Sequence, residues 1–173
     1  MGNPHPDFIY GFTNIFSYKG FDLNIFFQGS QGNDVFNGSR LFLESLQGGD
    51  NQLEVINDRW QQPGDITNIP AATNDPEQAA SNVRVSSRFI EDGSYLRLKN
   101  LTLGYNFHIG DRLKNSISGF RVYFTGQNLF TLTKYSGLDP EVNYRGNDNA
   151  VIGTDFFTFP QARIYSFGLN LTF

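Results

Sequence analysis

Few residues in this sequence have the chemistry for catalysis. His5 lies in a Pro-flanked lead-in and His108 in an expected turn, and the absence of cysteine removes both a thiolate nucleophile and a thiolate metal ligand. No nucleophile motif surrounds a serine, so enzyme activity is not expected. Carboxylates and amides gather in "NDRW" (57–60) and "DPEVNYRGNDN" (139–149). Neither string has the alternating oxygen ligands closed by a Glu that a calcium loop needs, so both read as solvated loops, and no metal or cofactor is expected. The same regions do offer groups for recognition. Trp60, Tyr135 and Tyr144 present flat rings that could stack on sugars, while Arg59, Asp139, Glu141 and Arg145 could hydrogen-bond hydroxyls or a partner protein. The competing reading is that these side chains only pack the loops together.

Loops of this kind need a frame, and five alternating stretches supply one. They lie near residues 8–18, 21–30, 95–107, 119–132 and 162–173. Alternation of apolar with small polar residues is the period of a strand, whose successive side chains point to opposite faces. In "FIYGFTNIFSY" the residues Phe8, Tyr10, Phe12, Phe16 and Tyr18 share one face. In the closing "RIYSFGLNLTF" the residues Tyr165, Phe167, Leu169, Leu171 and Phe173 oppose Ile164, Ser166, Gly168, Asn170 and Thr172. Only Lys19 and Gly20 separate the first two stretches, which predicts a tight hairpin. The third stretch, "YLRLKNLTLGYNF", changes parity upstream of Asn100, which predicts a bulge near Lys99 or an exit from the apolar layer there.

Composition agrees with a β-rich chain. Eighteen Phe, eight Tyr and eighteen Gly stand beside only 17% charged residues, a mixture suited to pleats and turns. A net charge of -4 without a Lys/Arg run argues against nucleic acid. The start "MGNPHPDF" has neither a basic nor an apolar signal region, so any export signal is expected upstream.

The connections alternate in length: two residues at 19–20 and about eleven at 108–118, against long runs at 31–87 and 133–161 that are rich in Asn, Asp, Gly, Gln and Pro. Outer-membrane barrels show that alternation, with short periplasmic turns and long outer loops. On this scheme Phe16, Tyr18, Phe21, Tyr105, Phe107 and Phe120 fall at the turn-side ends of their strands, where a lower aromatic girdle belongs, and Phe173 ends on the periplasmic side. Five strands leave two open edges, which lipid does not tolerate, so the expectation is an all-β, antiparallel transmembrane barrel segment that forms part of something larger. The alternative is a free-standing soluble β-sandwich that binds glycan at its loops.

Four strings carry a resemblance. "GNPHPDFIYGFTNIFSYKGFDLNIFFQGSQGNDVFN", "SSRFIEDGSYLRLKNLTLGYNF", "VYFTGQNLFTLTKYSGLDPEVN" and "FGLNLTF" closely resemble the C-terminal region of the SusC/RagA family of TonB-linked outer-membrane proteins. The likeness covers nearly the whole chain and weakens between about Gln47 and Ala80. It implies the last five strands of a plugged barrel of about 22 strands. It implies an importer of oligosaccharides or peptides that works with a SusD-like surface lipoprotein. Energy would come from the TonB complex through a plug and TonB box that are not in this chain. The terminal aromatic Phe173, with Tyr165, Phe167, Leu169 and Leu171 on its face, resembles the signal read by the barrel assembly machinery.

Overall fold

The computed structural model describes residues 2–47, 51–110, 116–146 and 149–173. In chain order the strands are β1 (Phe8–Tyr18), β2 (Phe21–Gln31), β3 (Asp34–Asn37), β4 (Ile90–Asp92), β5 (Tyr95–Phe107), β6 (Gly119–Thr133), β7 (Thr154–Asp155) and β8 (Ile164–Thr172). Two short helices, α1 (Ser39–Leu43) and α2 (Pro76–Asn82), lie between β3 and β4. The chain divides into two compact units: a strand unit (7–31, 94–133 and 161–173) and a loop unit (1–6, 32–93 and 134–160).

The strand unit is one antiparallel meander in the order β1-β2-β5-β6-β8. Lys19 (φ 46°) and Gly20 (φ 89°) both take the left-handed conformation, which turns the chain in two residues with the twist its flanking strands require. Part of the turn expected over 108–118 falls outside the described residues.

Pairing places the apolar sets of all five strands on one face. Phe12 opposes Phe27, Leu23 opposes both Phe16 and Leu103, and Phe124 opposes Leu103 and Phe167. The parity change in β5 is a bulge. The β2 partners step from Asn100 to Leu98 without Lys99, so Leu96 and Leu98 return to the apolar face. The β6 partners shift at the same place, where Asn128 adopts a positive φ of 52°. One extra residue therefore keeps the face continuous along the full length of β5.

At the hairpin end of this face the aromatics form a row. Phe21 and Tyr105 have ring centroids 4.5 Å apart, Tyr105 meets Phe107 edge-on at 4.7 Å, and Phe107 stacks on Phe120 at 4.8 Å. These are favourable aromatic geometries.

The opposite face carries charge. Arg121 donates from Nε and Nη2 to the two carboxylate oxygens of Asp22 at 3.1 and 2.5 Å, and Asn106 Nδ2 adds a third bond to that carboxylate at 3.0 Å. Asp22 and Arg121 lie on β2 and β6, so their bridge passes over β5 at Gly104. A Cβ there would fall 2.6 Å from the Asp22 oxygens, so glycine leaves the space that the pair occupies.

The apolar face is uncovered: Phe12 is 59%, Leu169 64% and Phe167 83% exposed. A soluble sandwich would bury these side chains beneath a second sheet. The outer strands β1 and β8 each have one neighbour in the sheet.

The loop unit has its own core. β3 pairs antiparallel with β4 (Phe36↔Ile90) and parallel with β7 (Phe36↔Thr154), making a small sheet in the order β4-β3-β7. Val35, Ile69, Phe89 and Tyr135 are buried in this unit. The runs that read as polar loops are thus only partly irregular. The two-residue strand β7 is too short to show any period. Helix α1 is a short helical turn that takes in the start of "RLFLESL" (40–46), and α2 begins on Pro76 with Asp75 Oδ1 accepting from Glu77 N at 2.9 Å.

Candidate ligand-binding loops

A charged network gathers the loop unit around α1. Glu44 is 2% exposed and accepts from Arg40 on the same helical turn and from Arg88 Nη2 at 2.8 Å. Arg40 Nη1 also donates to Glu91 Oε1 at 2.9 Å. Glu91 in turn accepts from Ser136 N and Ser136 Oγ, each at 2.8 Å, and from Asn37 Nδ2 at 3.1 Å. Arginine suits such a hub because its planar fork serves two acceptors at once. Ser136 belongs to the connection after β6 while the other members precede β5, so the network links the two long connections. A second link joins Phe157 N to Ser39 Oγ at 2.7 Å.

Beside this network opens a cleft of about 450 Å³. Trp60 stands on one side, 40% exposed, held by its backbone N–H donating to Ile69 O at 3.0 Å. Ser81 and Asn82 from α2, followed by Arg84, Ser86 and Arg88, form another wall. A separate cavity of about 230 Å³ is lined by Asn37, Leu53, Leu138, Phe157 and Thr158, among others.

The residues singled out for recognition separate into two groups. Tyr135 and Asp139 are each 5% exposed and turn inward, which corrects their assignment as ligand contacts. The Tyr135 hydroxyl donates to Asp155 Oδ2 at 2.6 Å, and Asp139 Oδ1 accepts from Glu141 N at 2.9 Å. Burial, reinforced by Asp155, holds the Tyr135 hydroxyl well above the usual tyrosine range, so it stays protonated and structural. Trp60, Tyr144 and Arg145 remain exposed, and Arg59 and Glu141 are half-buried. The guanidinium of Arg145 lies over the Tyr144 ring at 5.8 Å, and that ring also meets Phe156 at 5.3 Å. Trp60 alone of the seven lines the 450 Å³ cleft.

Sequence reasoning missed Arg84, Arg88, Glu44 and Glu91. Arg88 and Glu44 are 44 positions apart and Arg40 and Glu91 are 51 apart, so no local spacing announces them. Among the described residues no cluster of three or more His, Asp or Glu could hold a metal ion, and residues 147–148 of the "DPEVNYRGNDN" string lie outside the described residues.

No family model matches the chain. It is, however, 40% identical over 177 residues to TonB-dependent receptor P3 of Formosa agariphila, with all of this chain and 17% of that protein covered. It is 31% identical over 171 residues to TonB-dependent receptor SusC of Bacteroides thetaiotaomicron, with coverage of 98% and 15%. Among solved structures, the RagAB peptide transporter superposes with a TM-score of 0.79 at 30% identity, covering 98% of this chain and 17% of that one. The chain belongs to the SusC/RagA family of TonB-dependent receptors. It spans less than a fifth of the length of the curated relatives that it matches. Coverage of 98% or more means that the SusC/RagA likeness includes both the strand unit and the loop unit.

The network in this SusC/RagA segment has a pH dependence of definite sign. Burial pushes the Glu91 carboxyl up, but the hydrogen bonds from Ser136, Arg40 and Asn37 outweigh it and hold the group below its ordinary value. A carboxyl with a lowered folded pKa stabilises fully above its unfolded value, about 4.3, and loses that contribution as pH falls through the folded value. The protection of amides in β4 and around Ser136, taken relative to intrinsic exchange at each pH, is therefore expected to fall below about pH 4. Glu91→Gln should exchange faster at neutral pH and show a flatter acid profile, and a Gln variant with an unchanged acid profile would remove Glu91 as the cause.

Proposed function

We propose that this chain is a five-stranded segment of a large outer-membrane nutrient importer, a plugged barrel of about 22 strands. The carrying observation is the uncovered apolar face shared by β1, β2, β5, β6 and β8, in a chain 40% identical to a TonB-dependent receptor. Lipid is the surface that suits such a face, and further strands of the same barrel are the partners that suit its two edges. The aromatic row near Phe21, Tyr105, Phe107 and Phe120 then sits at the periplasmic interface, with Phe16 and Tyr18 beside it, and the long connections face outward. The imported material is oligosaccharide or peptide, delivered with a SusD-like surface lipoprotein and driven by the TonB complex through a plug encoded elsewhere in the full-length receptor. Trp60, Tyr144 and Arg145, with half-buried Arg59 and Glu141, are the loop groups placed to meet substrate or lipoprotein.

The absence of cysteine from this chain makes topology directly testable. Ile66, fully exposed in the loop unit, and Lys19, in the hairpin turn, provide single sites for Ile66→Cys and Lys19→Cys in a full-length receptor cleared of other thiols. A membrane-impermeant maleimide should label the first on intact cells and the second only after permeabilisation. The reverse pattern would overturn the orientation, and recovery of the receptor in the soluble fraction would overturn the membrane reading. Uptake is tested by deleting the receptor gene and scoring growth on oligosaccharide or peptide as sole carbon source; unchanged growth on both would refute the importer.

Strand β8 carries a third expectation. Phe173→Asp should lower the amount of assembled receptor in the outer membrane several-fold, because it puts a carboxylate in line with the exposed apolar set of Phe167, Leu169 and Leu171. Normal insertion of the variant would refute the role.

A further inference from the structure

The Trp60 cleft combines three features that together select a ligand. The first is the indole, which offers a flat apolar surface to a C–H face. The second is charge: among the described residues Arg84 and Arg88 line the cleft and no carboxylate does. Arg88 is already partnered, through Nη2 to Glu44 and through Nη1 to Asn82 O at 3.4 Å. Yet its Nε is buried and has no hydrogen-bond acceptor among the described residues. Arg84 is exposed, and among the described residues its side chain has no hydrogen bond or ion pair, leaving the cleft one uncompensated positive charge. The third is a neutral polar lining from Thr67, Asn68, Ser81, Asn82 and Ser86, whose amides and hydroxyls match sugar hydroxyls.

A cation is repelled by this lining despite the indole. A purely apolar ligand would leave the Arg88 Nε without an acceptor and cover the polar wall, at the cost of desolvation. A ligand with a C–H face, several hydroxyls and one anionic group answers all three features. The volume of about 450 Å³ falls within the range of small-ligand sites and suits one or two sugar rings.

We infer that the Trp60–Arg84–Arg88 cleft binds an acidic sugar unit of an oligosaccharide, with the ring against Trp60 and the anionic group between Arg84 and the Arg88 Nε. This rests on the importer reading above and names the substrate class for one of its loop sites. The anion is a uronate carboxylate or a sulfate ester, the chemistry that both share being a planar or tetrahedral set of acceptors for guanidinium donors.

The test uses the purified full-length receptor in detergent micelles and isothermal titration calorimetry. The probes are trigalacturonate, its fully methyl-esterified form, a sulfated κ-carrageenan tetrasaccharide, its desulfated form and the peptide Gly-Glu-Gly. At least one acidic saccharide should bind, and binding of only one assigns the anion. For a uronate site, trigalacturonate should exceed its methyl ester by about tenfold or more, the worth of one charge-assisted guanidinium bond. For a sulfate site, the tetrasaccharide should exceed its desulfated form by the same margin. Arg84→Gln should abolish that preference while sparing the uncharged form, and Trp60→Ala should weaken charged and uncharged forms alike.

Four results would overturn the inference: no binding of either acidic saccharide, equal affinity for charged and uncharged forms, an Arg84→Gln variant that keeps the preference, or Gly-Glu-Gly binding with the same Arg84 dependence. Maleimide labelling at position 66 reports assembly separately, so failure of the importer reading appears there and not in the titration.

Discussion

Glu44→Ala is expected to be the most damaging single change in the loop unit, costing about 3–5 kcal/mol. The carboxylate is almost fully buried and is the common acceptor for Arg40 and Arg88. Removing it leaves the Arg88 guanidinium without an anion and Arg40 with Glu91 alone, the two groups being each about one-fifth exposed. Breaking a buried pair from one side is worse than replacing the whole of it, because the orphaned charge keeps its desolvation cost. Glu44→Ala combined with Arg88→Met should therefore lose less stability than Glu44→Ala alone. The Met side chain can stay on the Phe89 ring, over which the Arg88 guanidinium now lies at 4.6 Å. Amide exchange across α1 and β4 in the full-length receptor would read both effects locally. If the double variant opens as easily as the single one, orphaned charge is not what destabilises the unit.

The strand frame was legible in the sequence and the loop unit was not, for one physical reason. A strand with one apolar face writes its environment into consecutive residues, as "FGLNLTF" does, and even the bulge announces itself where Leu98 and Leu101 fall on opposite parities around Lys99. Ile9, Ile15, Phe26 and Ile164 are among the exceptions, since pairing puts them on the otherwise polar face. The loop unit is specified by partners far apart in sequence. Val35 and Phe36 find Glu91 and Ile90, Asn37 finds Asp155, and Glu91 finds Ser136. None of those pairs has a period. Tyr135 shows the consequence: an aromatic in a polar run reads as a ligand platform, but its hydroxyl meets Asp155 and the ring goes inward. Trp60 was legible by type, whereas Arg84 and Arg88 became visible only when folding placed them at the same cleft.

Phe167→Arg set against Ser166→Arg tests the assignment of the two faces in adjacent positions. Phe167 is 83% exposed, opposes Phe124 and belongs to the face with Leu169 and Leu171. Ser166 opposes Thr125 on the face that already carries Asp22 and Arg121. If the first face meets lipid, an arginine near the bilayer midplane should destabilise the assembled barrel by about 2–4 kcal/mol, while the same charge one residue earlier meets the lumen or plug and costs far less. Both variants add the same side chain to the same strand, and Phe167→Ala measures separately the loss of the ring and of its 5.1 Å contact with Phe124, so the remaining difference isolates the environment of each face. Denaturant titration of the full-length receptor in lipid vesicles gives both values. Equal losses at 166 and 167 would remove the lipid assignment. A larger loss at 166 would place the apolar face inward, against protein rather than lipid, and the row from Phe21 to Phe120 would then be a packing contact rather than an interfacial girdle.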